Sequence, residues 1–220
     1  MKKMFLRSAV VALAGVGLMA GGAAASPILT LDDGTTSITI TDNGTGDLFD
    51  SVDGVIGYIG TVGGWDVTMS MGSSYPAIGS VGFPELHLTG STTSLLDGGS
   101  LTFTFEDTFT SWDSDLEGLV SSFGGDAAGE VTFSTYLDGV ELASFGPESG
   151  NFSEALTSLV VPSDTNSYTL QIVGVIEHSS QGQASSFDGS VAPVPEPATM
   201  LLFGTGLAGL AGVVRRKKVK

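Results

Sequence analysis

Over residues 28–189 apolar side chains recur at every second position in short stretches, each bounded by Gly, Asp, Asn or Ser. A period of two belongs to a strand with one buried face, because successive Cβ atoms point to opposite sides of the pleat. In GWDVTMSMG, Trp65, Val67, Met69 and Met71 share one face, while Asp66, Thr68 and Ser70 share the other. In SLTFTFEDTF, Leu101, Phe103 and Phe105 alternate with Thr102, Thr104 and Glu106. EVTFSTYLDGVELASF predicts a hairpin, since Asp138 and Gly139 tolerate the positive φ angles of a tight primed turn; Asp53 and Gly54 offer a second such turn. Residues 172–176 are apolar on both faces, which predicts a strand in the middle of a sheet. Residues 152–161 are the one stretch in which a helix competes, and Thr157, Val160 and Val161 favour a strand there. Short strands at regular spacing, about ten of them, predict an all-β fold, an antiparallel β-sandwich with which a jelly-roll order is compatible.

Charge is distributed as unevenly as the apolar pattern is regular. All eight basic residues lie near the ends of the 220-residue chain: Lys2, Lys3, Arg7, Arg215, Arg216, Lys217, Lys218 and Lys220. All 24 Asp and Glu lie between them, in a stretch that holds no Lys or Arg. Inside that stretch no Lys or Arg ion pair can form, and its surface repels nucleic acid and anionic headgroups. Cysteine is absent, which excludes a disulfide framework, a thiolate metal site and a Cys nucleophile.

The two ends read as targeting segments. Lys2, Lys3 and Arg7 precede an apolar run at 9–20 and small residues at 21–25, the three parts of a secretory signal peptide. Cleavage by signal peptidase is expected between Ala25 and Ser26, where Ala23 and Ala25 form the small-x-small pair. At the other end, residues 198–214 carry no charge and as a transmembrane helix would extend roughly 26 Å, enough to cross a bilayer. Its glycines suit packing in a membrane, and the basic stop Arg215, Arg216, Lys217 and Lys218 would remain cytoplasmic. The expected organisation is a signal helix at 1–25, a β-sandwich body at 26–192 and a tail at 193–220. The tail divides into a hinge at 193–197, a membrane span at 198–214 and a basic end at 215–220.

Val194, Pro195, Glu196 and Pro197, followed by an apolar Gly-containing run and the Arg-Arg-Lys-Lys cluster, resemble the PEP-CTERM sorting signal of Gram-negative bacteria. The resemblance covers the last 27 residues, 194–220. It implies an exosortase-type membrane protease as partner, loss of the anchor, and delivery to the cell surface or an exopolysaccharide matrix. The two prolines can neither continue a helix nor donate backbone hydrogen bonds, so they hold the hinge extended. The stretches TITDNGTGDLFD, GGWDVTMSMGSSYP and GGSLTFTFEDTFT are similar to an uncharacterised β domain of such proteins, which implies a fold and no activity.

Within the body, residues suited to catalysis are few. Of two histidines, His87 in ELHLTG alternates with Leu86 and Leu88 and is expected to face solvent with Glu85 and Thr89. No nucleophile elbow accompanies Ser, His and Asp, and without Lys or Arg there is little to support phosphoryl transfer. Trp65 alternates with core positions, so Trp112 is the better candidate for an exposed sugar-stacking ring. DSDLEG places Asp113, Asp115 and Glu117 at alternating positions, like the first half of a calcium loop. The twelfth position is Gly124 rather than Glu, which rules out an EF-hand and leaves a looser calcium site as the candidate. DNGTGDLFDSVD adds Asp42, Asn43, Asp47, Asp50 and Asp53 as a second oxygen-rich stretch; the competing reading is that these residues make turns.

The expected function is therefore that of an exported surface or matrix protein, not an enzyme, with a structural or adhesive role in exopolysaccharide and biofilm. The alternative is a carbohydrate-binding module assisted by calcium, and behind it an extracellular glycosidase, which would need two carboxylates about 5 to 10 Å apart in a cleft.

Overall fold

A computed structural model describes residues 26–195 of the chain. The expected signal segment up to Ala25 lies outside them, as do the membrane span and the site residues Glu196, Pro197, Arg215, Arg216, Lys217 and Lys218. Among the described residues there is no helix long and apolar enough to cross a membrane.

Ten strands form: β1 (Ile28–Asp32), β2 (Ser37–Thr41), β3 (Val55–Val62), β4 (Trp65–Ser73), β5 (Leu86–Ser94), β6 (Gly99–Phe109), β7 (Leu116–Leu137), β8 (Val140–Ser158), β9 (Tyr168–His178) and β10 (Ala184–Pro195). All pairings are antiparallel, in the order β2-β1-β6-β9-β7-β10-β5-β4-β3, with β8 beside β7. The predicted turn is present at Asp138 (φ 49°) and Gly139 (φ 76°), joining β7 to β8. Gly54 (φ 81°) also turns, as the lead into β3 rather than as the tip of a hairpin. The apolar strand β9 lies between β6 and β7, as its two apolar faces predict.

A single sheet becomes two layers because the β7–β8 hairpin doubles over. Residues 116–127 of β7 run beside β10, whereas residues 130–137 run beside β9 in the opposite sense. The register of the hairpin shifts between Ala127 and Val131, where the strand turns the corner. Gly129 sits in that corner, and a Cβ there would collide with the carbonyl of Glu177. Once folded, β7 packs against itself: the rings of Phe123 and Phe133 stack 4.5 Å apart at 15°. Phe187 from β10 closes on Phe133 at 5.1 Å and on Phe103 of β6 at 4.9 Å. These four rings join the layers at the centre of one core that also holds Leu29, Leu31, Leu86, Leu88, Ile172 and Ile176.

One strand departs from simple alternation. Between Val67 and Met69 the register of β4 against β5 slips by one residue, with Thr68 as the extra one. A bulge of this kind exchanges the two faces of everything beyond it. Trp65 and Val67 are buried as predicted, but Met69 is exposed and Ser70 is buried. Met71 is only partly covered, and the inward place is taken by Gly72, where a Cβ would strike the ring of Phe105.

Phe133→Ala should destabilise the protein by about 3 to 5 kcal/mol, while Thr132→Ala on the outer face should cost under about 1 kcal/mol. Urea denaturation of both variants measures the difference. Similar small losses at both positions would contradict the doubled hairpin.

Candidate functional site

The pairing register places both ends of the described chain at the same end of the body. Ile28 opens β1 opposite Glu106, near the end of β6. β10 passes Leu86, the first residue of β5, at Val191 and continues beside β7 alone to Pro195. The expected hinge residues Val194 and Pro195 are thus strand residues, paired with Gly118 and Leu116, and the boundary expected at 192/193 falls inside β10. Around this exit end gather the loops 42–54, 74–85, 110–115 and 159–167.

The acidic stretch in the first of these loops works as a set of backbone acceptors. Asp47, 9% exposed, accepts N–H bonds from Phe49 and Gly57 on Oδ1 and from Asn43 on Oδ2. Asp42 Oδ2 accepts the Gly54 N–H at 2.9 Å, and the Asn43 amide donates to Asp53 at 2.9 Å. Asp50 is exposed. The Phe49 bond closes an Asx turn, whereas those of Gly54, Gly57 and the Asn43 amide span ten or twelve residues and tie the two ends of the loop together.

Beneath this loop lies Asp107, which the sequence reading overlooked. It is 4% exposed and accepts the Ser74 hydroxyl at 2.5 Å and the Thr108 N–H at 2.8 Å. Burial, with a smaller contribution from the nearby Asp42 carboxylate, pushes its carboxyl up to about 6 against those two bonds. Asp42 Oδ1 is itself buried without a partner. The signal was present in SLTFTFEDTF, whose alternation places Asp107 on the face of Leu101, Phe103 and Phe105.

The other predicted site residues are dispersed. Asp113 Oδ1 accepts the N–H of Asp115, an Asx turn, and Glu117 stands exposed on β7. Among the described residues no three His, Asp or Glu side chains converge to hold a metal ion. Trp112 is not the exposed ring expected: it is 9% exposed and packs edge-on against Tyr168 at 5.6 Å. Its position is set by that phenol, whose hydroxyl donates to the Ser111 carbonyl at 2.6 Å. Both tryptophans therefore belong to the core. His87 does face outward, and its Nε2 lies 2.8 Å from Asp188 Oδ2. His178 is buried against Trp65, with Nε2 2.8 Å from Ser185 Oγ and Nδ1 unpartnered. With no carboxylate on Nδ1, the pair lacks the third member of a triad.

The outer faces carry hydroxyls in register. Across one layer the outward row reads Thr39, Thr30, Thr104, Val173, Ser134 and Ser144. Across the other, Ser122 and Ser190 pair at 2.8 Å beside His87. No Lys or Arg interrupts either face.

Two buried groups give the fold opposing pH responses. Asp107 holds its proton in the folded state up to about pH 6 but in the unfolded chain only to about 3.8. Its contribution is complete below the lower value and falls away as pH rises through the upper, by about 3 kcal/mol. Burial lowers the pKa of His178, so its contribution is present above about 6.5 and is lost as pH falls. Asp107→Asn removes the first response alone. The variant should melt above the parent protein at pH 8, with the gap closing towards pH 4; a constant gap across that range would show that Asp107 does not titrate as described.

No curated protein matches the sequence. Among solved structures, the chain is similar to TmCBM61 in complex with β-1,4-galactotriose, at 12% identity over 60% of this chain and 88% of that one, with a TM-score of 0.32. It is similar to the family 11 carbohydrate-binding module from Clostridium thermocellum, in complex with a mixed-linked tetrasaccharide, at 16% identity over 76% and 95%, TM-score 0.30. A β-glucosidase from Kluyveromyces marxianus overlaps at 10% identity over 50% of this chain but 12% of its own, TM-score 0.30. The family model of the PEP-CTERM protein-sorting motif matches residues 193–217, so the chain carries that motif, and its first three residues form the end of β10.

Proposed function

We propose that this protein is exported, held briefly in the membrane by its C-terminal segment, and released by an exosortase-type protease to the cell surface or an exopolysaccharide matrix. There the β body serves a structural or adhesive role without catalysis. The sorting motif carries this reading, since it marks the chain for export, transient anchoring and exosortase processing. The rows of outward Ser and Thr support the adhesive part: they offer donors and acceptors to a hydroxylated polymer, and no cation competes for them. A carbohydrate-binding module is the second reading, favoured by Tyr75 and Phe83, two exposed rings on loop 74–85 able to stack on sugars. A glycosidase would need an open cleft with two facing carboxylates, which the neighbouring Asp42 and Asp107 do not fit, since Asp107 is buried.

Replacing Pro195, Glu196 and Pro197 together by Ala should leave the protein uncleaved in the inner membrane, read by fractionation and intact mass. Normal release of the triple variant would refute sorting through this motif. The released body should co-sediment with purified exopolysaccharide of its own organism. Loss of that binding on Tyr75→Ala or Phe83→Ala would favour the binding module, whereas no binding by the parent body would refute adhesion to that polymer.

Calcium is the one ion this chemistry invites, yet Asp42, Asp47 and Asp113 accept backbone N–H bonds. We infer that cations act on this body by screening its carboxylates. Melting temperature should rise equally in calcium and magnesium at matched ionic strength. A larger rise with calcium, removed by Asp115→Asn or Asp47→Asn, would establish a site instead.

A further inference from the structure

The end of the body from which the sorting motif leaves is also rich in uncovered apolar side chains. Leu159 is 73% exposed, Val81 56%, Val161 49% and Phe83 40%. Register ties these positions to the exit strand. Val194 pairs with Gly118, and a Cβ on Gly118 would lie 2.9 Å from Leu159 Cα. Loop 110–115, which leads into β7, donates the Asp113 N–H to the Gly82 carbonyl at 3.0 Å, between Val81 and Phe83. The apolar loops therefore flank the last paired residues of β10.

Very little chain separates this end from the apolar run. Sheet pairing reaches Pro195 and the uncharged run begins at Ala198. Three residue steps span at most about 11 Å even when fully extended. With the run in a bilayer, the exit end cannot lie farther than that from the membrane surface. Apolar side chains held at that distance gain by entering the headgroup region, as interfacial residues do. Glu85, Asp113 and Asp115 stand beside them, and the body has no Lys or Arg, so an anionic surface would be repelled. The matching partner is a lipid surface without net charge.

We propose that, while the chain is anchored, Val81, Phe83, Leu159 and Val161 seat the exit end of the body in the headgroup region of the bilayer, so that the opposite end points outward. This rests on the reading of residues 198–214 as a membrane span. The seated end presents the sorting motif at the membrane surface, where a membrane protease must find it.

The absence of cysteine allows a direct test. Val81→Cys and Leu159→Cys report on the exit end, and Leu96→Cys, 64% exposed in the turn between β5 and β6, reports on the opposite end. Each is labelled with a fluorophore in the chain from Ser26 to Lys220 and reconstituted into phosphatidylcholine nanodiscs. A quencher carried on the lipid should reduce emission at positions 81 and 159 several-fold more than at 96. Equal quenching at all three positions in chains that co-purify with the discs would overturn the seating while leaving the anchor intact. Labels at 81 and 159 shielded from an aqueous quencher but untouched by the lipid quencher would assign this end to a second copy of the chain, which also overturns the proposal. Failure of the chain to enter the discs would refute the membrane span, and the seating with it.

Discussion

The stacking of Phe123 on Phe133 is a contact of one strand with itself, and the two-layer architecture depends on it. Strand β7 is 22 residues long, too long for one layer of a small domain, and its two halves face each other only after the corner at 127–131. Ser121 and Thr135 form a second self-contact, a buried hydroxyl pair at 2.8 Å. Phe145 and Phe152 of β8 pack on Phe123 and Phe133, so the whole hairpin folds as a unit. With that hairpin doubled, β9 and β10 are brought face to face, and the rest of each layer adds by pairing outward from them.

A body without Lys or Arg must place its carboxylates where something other than a cationic side chain can stabilise them. Backbone N–H groups serve that purpose: Asp33 accepts N–H bonds from Thr35, Thr36 and Gly64, and Asp47 from Asn43, Phe49 and Gly57. Burial acts against the charge of Asp33, but the Thr35 hydroxyl and those N–H groups outweigh it and hold its pKa at about 2. Asp107 shows the opposite balance, because two hydrogen bonds do not offset its burial beside Asp42. The difference lies in the number of donors and in access to water. The same kind of backbone donor holds Asp42, Asp47 and Asp113 in the oxygen-rich stretches.

The exit end joins folding to processing. The sorting motif begins within β10, so its register is fixed by pairing with β7, and no flexible linker stands between the core and Pro195. Pro193 and Pro195 cannot donate to a ladder, which suits a strand end that has lost its second neighbour after Val191. Destabilising the β7–β10 pairing would therefore disturb the presentation of the motif as well as the stability of the sheet.

Local chemistry alone determined the strands, the Asp138-Gly139 turn, the central place of β9 and the sorting tail, because period-two alternation, turn residues and a proline-apolar-basic order are written in consecutive residues. Tertiary structure decided the rest. The extra residue at Thr68 reverses the faces of Met69 and Ser70, and nothing in the local pattern announces a slip that arises from register with β5. Trp112 is buried because Tyr168, distant in sequence, places an aromatic edge beside it. Asp113, Asp115 and Glu117 alternate as ligands would, but convergence on an ion is a property of distances in space. Asp107 was legible as an inward acid, yet its raised pKa depends on Ser74 and Asp42 from other loops. Above all, the corner at 127–131 is stabilised by contacts between residues ten positions apart that meet only when the strand doubles back, and no linear pattern records such a meeting.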